Sequence, residues 1–160
     1  MTAQAKSATV EVYVGGSLVY STQEPHQPYC DEAIKEAAQA LPHFEALRTM
    51  PQEVFAVMSL NGASKPIKTR WVTVGLLDTN QAHPREVFAD PITDRAASVI
   101  LAHNHPSGTL EASPEDIALT KRLQKAGELL GIRVLDHLIV ASSGFLSLKQ
   151  AGGYVTALNG

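Results

Sequence analysis

Two histidines that directly follow an apolar run constrain this chain more than any other feature. The run covers residues 97–102, and His103 and His105 come immediately after it. If the run is a strand, side chains two residues apart point to the same side of it, so both imidazoles reach one point in space. The pattern therefore predicts a strand that ends in a pair of histidines able to share one ion.

A serine, a proline and an aspartate begin the next predicted helix. Ser113 is a good N-cap, Pro114 suits the first helical position, and Asp116 at the third position resembles a capping box. Two histidine nitrogens and one carboxylate oxygen also form a suitable ligand set for Zn²⁺, and they leave the fourth tetrahedral position to water. The spacing predicts a catalytic zinc site at His103, His105 and Asp116, while helix capping stays open as the structural explanation of Ser113.

Apolar periodicity and turn residues predict an α/β domain with a mixed, curved sheet and helices on its faces. Gly15-Gly16 separates two short strands of a hairpin, residues 10–14 and 18–20. Further strands are predicted at residues 54–60, 67–77, 98–102, 132–140 and 145–148. Helices are predicted at residues 31–41, stopped by Pro42, from Pro84 until Pro91 interrupts the helix, and at residues 114–130, ended by Gly131.

Length and composition fit one core domain with a small addition. The chain has 160 residues, of which 44% are hydrophobic, which is enough for a single core. We expect residues 1–48 to form an extension, a hairpin plus a helix, packed on a core of residues 49–160. This extension is expected to serve as a structural cover, with a docking role for substrate or partner as the alternative.

Charge, cysteine content and hydropathy narrow the classes of function. A formal net charge of −3 argues against a broad surface for nucleic acid. Cys30 is the single cysteine, so the metal site has no thiolates and the chain suits a reducing compartment. The first ten residues lack the pattern of a signal peptide, and no stretch is apolar enough for a membrane helix. We therefore expect a cytoplasmic protein without a membrane role.

The segment around the two histidines resembles a known family motif. His103-Asn104-His105-Pro106-Ser107-Gly108, followed by Ser113-x-x-Asp116, is similar to the JAMM motif of the JAB/MPN metalloproteases. More narrowly it resembles the bacterial RadC-like branch, which was historically labelled a DNA-repair protein. The resemblance covers roughly residues 50–153. It also includes the segments Glu53-Val54-Phe55, His83-Pro84-Arg85-Glu86-Val87-Phe88 and Leu135-Asp136-His137-Leu138-Ile139-Val140.

The resemblance implies a fold, an activity and roles for further residues. It implies the cytidine-deaminase-like arrangement of JAB/MPN domains and a zinc metallopeptidase that attacks a peptide or an isopeptide-linked protein. Glu53 matches the catalytic glutamate of the family and is our expected general base, with Glu86 as the competitor. Glu86 has a structural explanation, because an acid in the first helical turn complements the helix dipole. Ser113 is expected to donate to the developing oxyanion.

Two other classes of function stay open at this point. DNA processing would suit the historical label, and a basic cluster on the last predicted helix and just after it offers phosphate contacts: Lys121, Arg122, Lys125 and Arg133. The solvated face of an amphipathic helix explains these residues more simply. A non-catalytic interaction module, as in MPN domains without metal ligands, is the other alternative.

Two polar residues near the motif receive structural assignments. Asn104 is assigned to loop structure, because its side chain should point away from its histidine neighbours. His137 is expected to be a hydrogen-bonded residue of the sheet, oriented by Asp136, and not a ligand of a second site.

Overall fold

A five-stranded mixed sheet forms the centre of the larger of two units in the chain. The computed structural model describes residues 8–14, 17–24, 32–75 and 82–152, and the first two stretches by their backbone alone. The chain divides into two units, residues 1–30 and residues 31–160. The strands are β1 (Ala8–Val14), β2 (Ser17–Glu24), β3 (Val54–Leu60), β4 (Pro66–Val74), β5 (Ser98–Asn104), β6 (Arg133–Ala141) and β7 (Gly144–Ser147). The helices are α1 (Ala37–Ala40), a 3₁₀ helix (Leu41–Thr49), α2 (Pro84–Thr93), α3 (Pro114–Leu130) and α4 (Leu148–Gly152).

The order of strands in the sheet is β4-β3-β5-β6-β7. All neighbouring pairs are antiparallel except β5 and β6, which are parallel and are connected by α3. A helical crossover of this kind is the usual way to join adjacent parallel strands. The predicted α/β class, with a mixed sheet flanked by helices, is confirmed.

The first unit contains a two-stranded antiparallel sheet made of β1 and β2. Val14 pairs with Ser17, and Gly15-Gly16, the predicted turn, lies outside the described residues. The expected boundary at residue 48, and the packing of residues 1–48 on the core, stay predictions.

The two central strands are buried along their whole length. Every residue of β3 and of β5 is buried, as expected for strands that have a neighbour on both sides and are covered on both faces. Helices α2 and α3 supply apolar side chains to the same core. Its buried members are Phe55, Val57, Ala82, Val87, Phe88, Val99, Leu101, Leu119, Leu123, Ile132 and Val134.

Helix α3 has the bounds that its capping signals predict. Ser113 accepts a hydrogen bond from the backbone N–H of Asp116, and the Asp116 carboxylate accepts one from the backbone of Ser113. At the other end Gly131 has a φ of 72°, in the left-handed region that glycine adopts without strain. Among the described residues, no helix is long and apolar enough to cross a membrane.

The start predicted for the helix over residues 31–41 is wrong. Gln39 accepts hydrogen bonds from the backbones of Lys35 and Glu36, so the helix begins only at Ala37. The α-helix ends at Ala40, shortly before Pro42, but the chain continues as a 3₁₀ helix with Pro42 in its first turn, where a missing N–H costs nothing.

Several other predicted elements differ from the structure at their ends. Pro91 lies inside α2, which continues to Thr93. Strand β5 extends two residues further than predicted, to Asn104. Strand β4 runs from Pro66 to Val74, and the end predicted for it at residue 77 lies outside the described residues. The last two strands, β6 and β7, are displaced by one residue from their predicted starts.

Gly127 provides a test of how closely α3 packs. An added Cβ would overlap the carbonyl oxygen of Ile132 and lie 3.2 Å from Cζ of Phe88. In an exposed helix, Gly→Ala stabilises by up to about 1 kcal/mol. Here we expect Gly127→Ala to destabilise the fold by about 1–3 kcal/mol, because backbone atoms must move.

Urea unfolding, followed by circular dichroism, measures this change. Glu128→Ala at the neighbouring exposed position is the control, and it should change the free energy of unfolding by less than about 0.5 kcal/mol. A gain of stability in Gly127→Ala would contradict the close packing of this helix.

Candidate metal centre

The three predicted ligands come together where β5 ends and α3 begins. His103 is the penultimate residue of β5, His105 follows the strand, and Asp116 lies in the first turn of α3. The strand fixes the two histidines on one side. The capping box fixes the helix start that carries Asp116.

The ligand atoms lie within contact distance of one another. His103 Nε2 is 2.9 Å from His105 Nε2 and 3.2 Å from Asp116 Oδ1. His105 Nε2 is 3.4 Å from Asp116 Oδ2. His103 and Asp116 are buried, whereas His105 is partly exposed. These three residues form a group that can hold a metal ion.

The donor set fits zinc in spacing and in chemistry. In a tetrahedral zinc site each ligand atom is about 2.0–2.1 Å from the ion, so the ligand atoms lie about 3.3 Å apart. The two histidine nitrogens are 2.9 Å apart, and each lies 3.2–3.4 Å from a different oxygen of the Asp116 carboxylate, which is close to this spacing. His105 Nδ1 lies 2.9 Å from the carbonyl oxygen of Thr109. Because a carbonyl only accepts, Nδ1 carries the proton, and the lone pair of Nε2 is directed at the group.

Asp116 is held in its ionised form. Burial alone would raise its pKa, but hydrogen bonding and charge interaction with His103 lower it. The backbone and side chain of Ser113 hydrogen bond to the same carboxyl group and lower it further. The net effect holds the pKa of Asp116 well below its usual range, so a charged carboxylate is available as a ligand.

A cleft of about 700 Å³ opens onto the ligand group. Glu53 and Ser113, the two residues expected to act in catalysis, both line it together with His105 and Asp116. Glu86 does not line it. It is exposed on α2, 3.5 Å from Arg85, which is the surface position that dipole complementarity predicts.

Asn104 is not a loop residue, contrary to the assignment from sequence. It is buried at the end of β5, and its side chain bonds to the backbone on both sides of Glu53. Its Oδ1 accepts from Val54 N at 2.7 Å, and its Nδ2 donates to Gln52 O at 3.0 Å and to Met50 O at 3.2 Å. Asn104 therefore fixes the backbone that carries Glu53. The alternation of side chains along a strand predicts that Asn104 faces away from the histidines. It does not predict the hydrogen-bond partners of Asn104, because they are distant in sequence.

His137 contacts the ligand group directly, which the sequence did not indicate. Its Nε2 lies 2.8 Å from His103 Nδ1, and its Nδ1 lies 2.6 Å from Thr120 Oγ1. Burial lowers the pKa of the His137 ring well below its usual value, and the neighbouring His103 adds to this effect. His137 is thus a neutral ring behind the ligands. Both of its nitrogens are engaged, as expected for a residue that is not itself a ligand.

Asp136 does not orient the ring of His137, contrary to our expectation. Its carboxylate accepts from the backbone N–H of His137 at 2.7 Å and from the Ser147 hydroxyl at 2.6 Å. It also accepts from Lys149 N, at the start of α4. Thr120, on α3, is the partner of the His137 ring instead.

Comparisons with known proteins agree with this geometry. The family model described as "RadC-like JAB domain" matches residues 33–153. A UPF0758 protein of Methanospirillum hungatei is 56% identical over 101 residues, which are 63% of this chain and 45% of that protein.

Two bacterial relatives show the same partial overlap. A UPF0758 protein of Moorella thermoacetica is 50% identical over 106 residues, 66% of this chain and 46% of the relative. One of Shouchella clausii is 46% identical over 112 residues, 70% of this chain and 49% of the relative. The chain thus spans about half the length of the curated relatives it matches.

Replacement of Asn104 tests its structural role. Asn104→Leu keeps the size of the side chain but leaves Val54 N and the carbonyls of Met50 and Gln52 without their partner. We expect a loss of about 1–3 kcal/mol in the free energy of unfolding, the cost of leaving buried polar groups unsatisfied.

Urea unfolding of Asn61→Leu provides the comparison. Asn61 also accepts two backbone hydrogen bonds, but it does so in an exposed turn, where water replaces them. An equal effect of the two substitutions would argue against the role assigned to Asn104.

Proposed function

Because this chain belongs to the family of RadC-like JAB domains, we propose that it is a zinc-dependent hydrolase that cleaves a peptide or isopeptide bond. The observation that carries the proposal is the convergence of two histidines and an aspartate in a cleft that Glu53 and Ser113 also line. This arrangement combines a ligand set with a candidate base and a candidate hydrogen-bond donor. Each has a role in the attack of water on a carbonyl.

Zinc bound by His103, His105 and Asp116 would lower the pKa of water from about 15.7 towards 7 and polarise the substrate carbonyl. Glu53 takes a proton from the attacking water and delivers it to the leaving nitrogen. The new bond joins the water oxygen to the carbonyl carbon, and the C–N bond breaks. The backbone clamp of Asn104 holds Glu53 at the cleft for this transfer.

Ser113 has two tasks in this proposal. Its hydroxyl oxygen accepts from Asp116 N at 3.1 Å, which caps α3. Its proton is the donor for the developing oxyanion, so it turns from the Asp116 carboxylate to the substrate during the reaction. Removal of one such donor typically costs about 10²–10³ in turnover.

The charge of the cleft favours a peptide over a nucleic acid. Four carboxylates occur among the described residues that line it, and no lysine or arginine does: Glu53, Glu111, Glu115 and Asp116. A polyanion is repelled by such a lining, whereas a neutral or basic peptide is not. The basic cluster of Lys121, Arg122, Lys125 and Arg133 is exposed and does not line the cleft.

The role of Glu53 can be tested with a matched pair of variants. We expect Glu53→Gln to bind zinc as the wild type does and to lose hydrolysis by a factor of about 10²–10⁴, the usual contribution of a general base. Glu86→Gln, the same substitution at the exposed competitor, should retain full turnover. The assay uses zinc-loaded protein with quenched peptides and isopeptide-linked conjugates.

A parallel assay on single- and double-stranded DNA addresses the alternative activity. Unchanged peptide hydrolysis in Glu53→Gln would refute the assignment of the base. Cleavage of DNA with no cleavage of any peptide or conjugate would refute the proposed reaction class.

A further inference from the structure

A continuous series of hydrogen bonds connects two of the three proposed ligands behind the metal centre. Thr120 Oγ1 donates to the backbone carbonyl oxygen of Asp116 at 2.7 Å. The same oxygen lies 2.6 Å from His137 Nδ1, and His137 Nε2 lies 2.8 Å from His103 Nδ1. We propose that Thr120 and His137 are positioning residues that hold a proton on Nδ1 of His103, so that Nε2 is the nitrogen that takes the metal. The binding of metal in this proposal rests on the proposed function, whereas the hydrogen-bond order does not.

The hydrogen bond from Thr120 to Asp116 determines which atom donates and which accepts in each of the other hydrogen bonds. A carbonyl oxygen has no proton, so the Thr120 hydroxyl must give its own proton to Asp116. The hydroxyl oxygen is then free only to accept, and His137 Nδ1 must carry a proton. In a neutral ring the other nitrogen has none, so His137 Nε2 accepts from His103 Nδ1.

These hydrogen bonds determine which nitrogen of His103 is left for the metal. With a proton held on Nδ1 of His103, Nε2 is the ring nitrogen that faces His105 and Asp116, from which it is 2.9 Å and 3.2 Å away. A metal-binding histidine usually donates its second N–H to a carboxylate, a backbone carbonyl or water. His105 follows this rule through Thr109. His103 is fully buried, and its second N–H donates to the imidazole of His137 instead of to a carbonyl oxygen.

Burial restricts alternative arrangements of these rings. His103, His137 and Thr120 have no exposed surface. The ring of Phe55 stacks on His103 with centroids 6.3 Å apart, and it meets His137 edge-on at 5.5 Å. A ring flip at either histidine would break a hydrogen bond that water cannot replace.

Substitutions of Thr120 separate this role from simple packing. Thr120→Val keeps the shape and removes the hydroxyl, whereas Thr120→Ser keeps the hydroxyl. Thr73→Val is the matched control, because Thr73 is a threonine whose buried hydroxyl has no hydrogen-bond partner among the described residues. Circular dichroism verifies that each variant is folded.

Two measurements are made on each protein. Long-range ¹H–¹⁵N correlation spectra of the metal-free protein show which ring nitrogen of His103 and of His137 carries the proton. Competition with a chelating dye gives the Kd for Zn²⁺.

We expect Nδ1–H for both rings in the wild type, in Thr120→Ser and in Thr73→Val. Thr120→Val should show mixed tautomers at His103 and bind zinc about 10–100-fold more weakly, the usual effect of losing an outer partner of a ligand. The rescue by serine is the result that a purely steric role would not produce.

Three results would discriminate between the claims. A His103 ring with no proton on Nδ1 in the wild type would overturn the inference, even if the protein binds zinc. Equal zinc affinity in Thr120→Val and Thr120→Ser would also overturn it. A wild type that takes up no zinc, but shows the expected tautomers, would refute the proposed function and support the hydrogen-bond order.

Discussion

The burial of polar side chains at the end of β5 is the constraint on which the rest of the site depends. His103 and Asn104 have almost no exposed surface, so each must find its partners inside the protein. Side chains alternate across a strand, and the two residues therefore face opposite sides of the sheet. On one side His103 meets α3 and β6. On the other side Asn104 binds the segment that leads into β3 and carries Glu53.

Helix α3 joins this constraint to the ligand group. Its capping box sets the position of Asp116, and its second turn brings Thr120 to the ring of His137. One helix end thus supplies a ligand directly and fixes another through two hydrogen bonds. The parallel pairing of β5 and β6 makes this arrangement achievable, because it aligns the strands that carry His103 and His137.

Local signals in the sequence predicted much of this structure. The caps of α3 were readable because serine, proline, aspartate and glycine each act within one turn of the helix end. The grouping of His103, His105 and Asp116 was predictable because strand alternation and a helix start fix it nearly independently of the topology. The start of α1 was predicted too early because the apolar periodicity begins near residue 31. In the structure a capping box with Gln39 at the third helical position sets the start. The contacts of Asn104 and His137 could not be predicted, because their partners are brought close only by strand pairing and by α3.

The zinc content of the purified protein tests the central claim most directly. Inductively coupled plasma mass spectrometry should find about one zinc per chain in the wild type, as three protein ligands imply. It should find essentially none in His103→Ala, whereas His83→Ala, at the N-cap of α2, should retain the metal. No zinc in the wild type after reconstitution, or equal zinc in His103→Ala, would contradict the account.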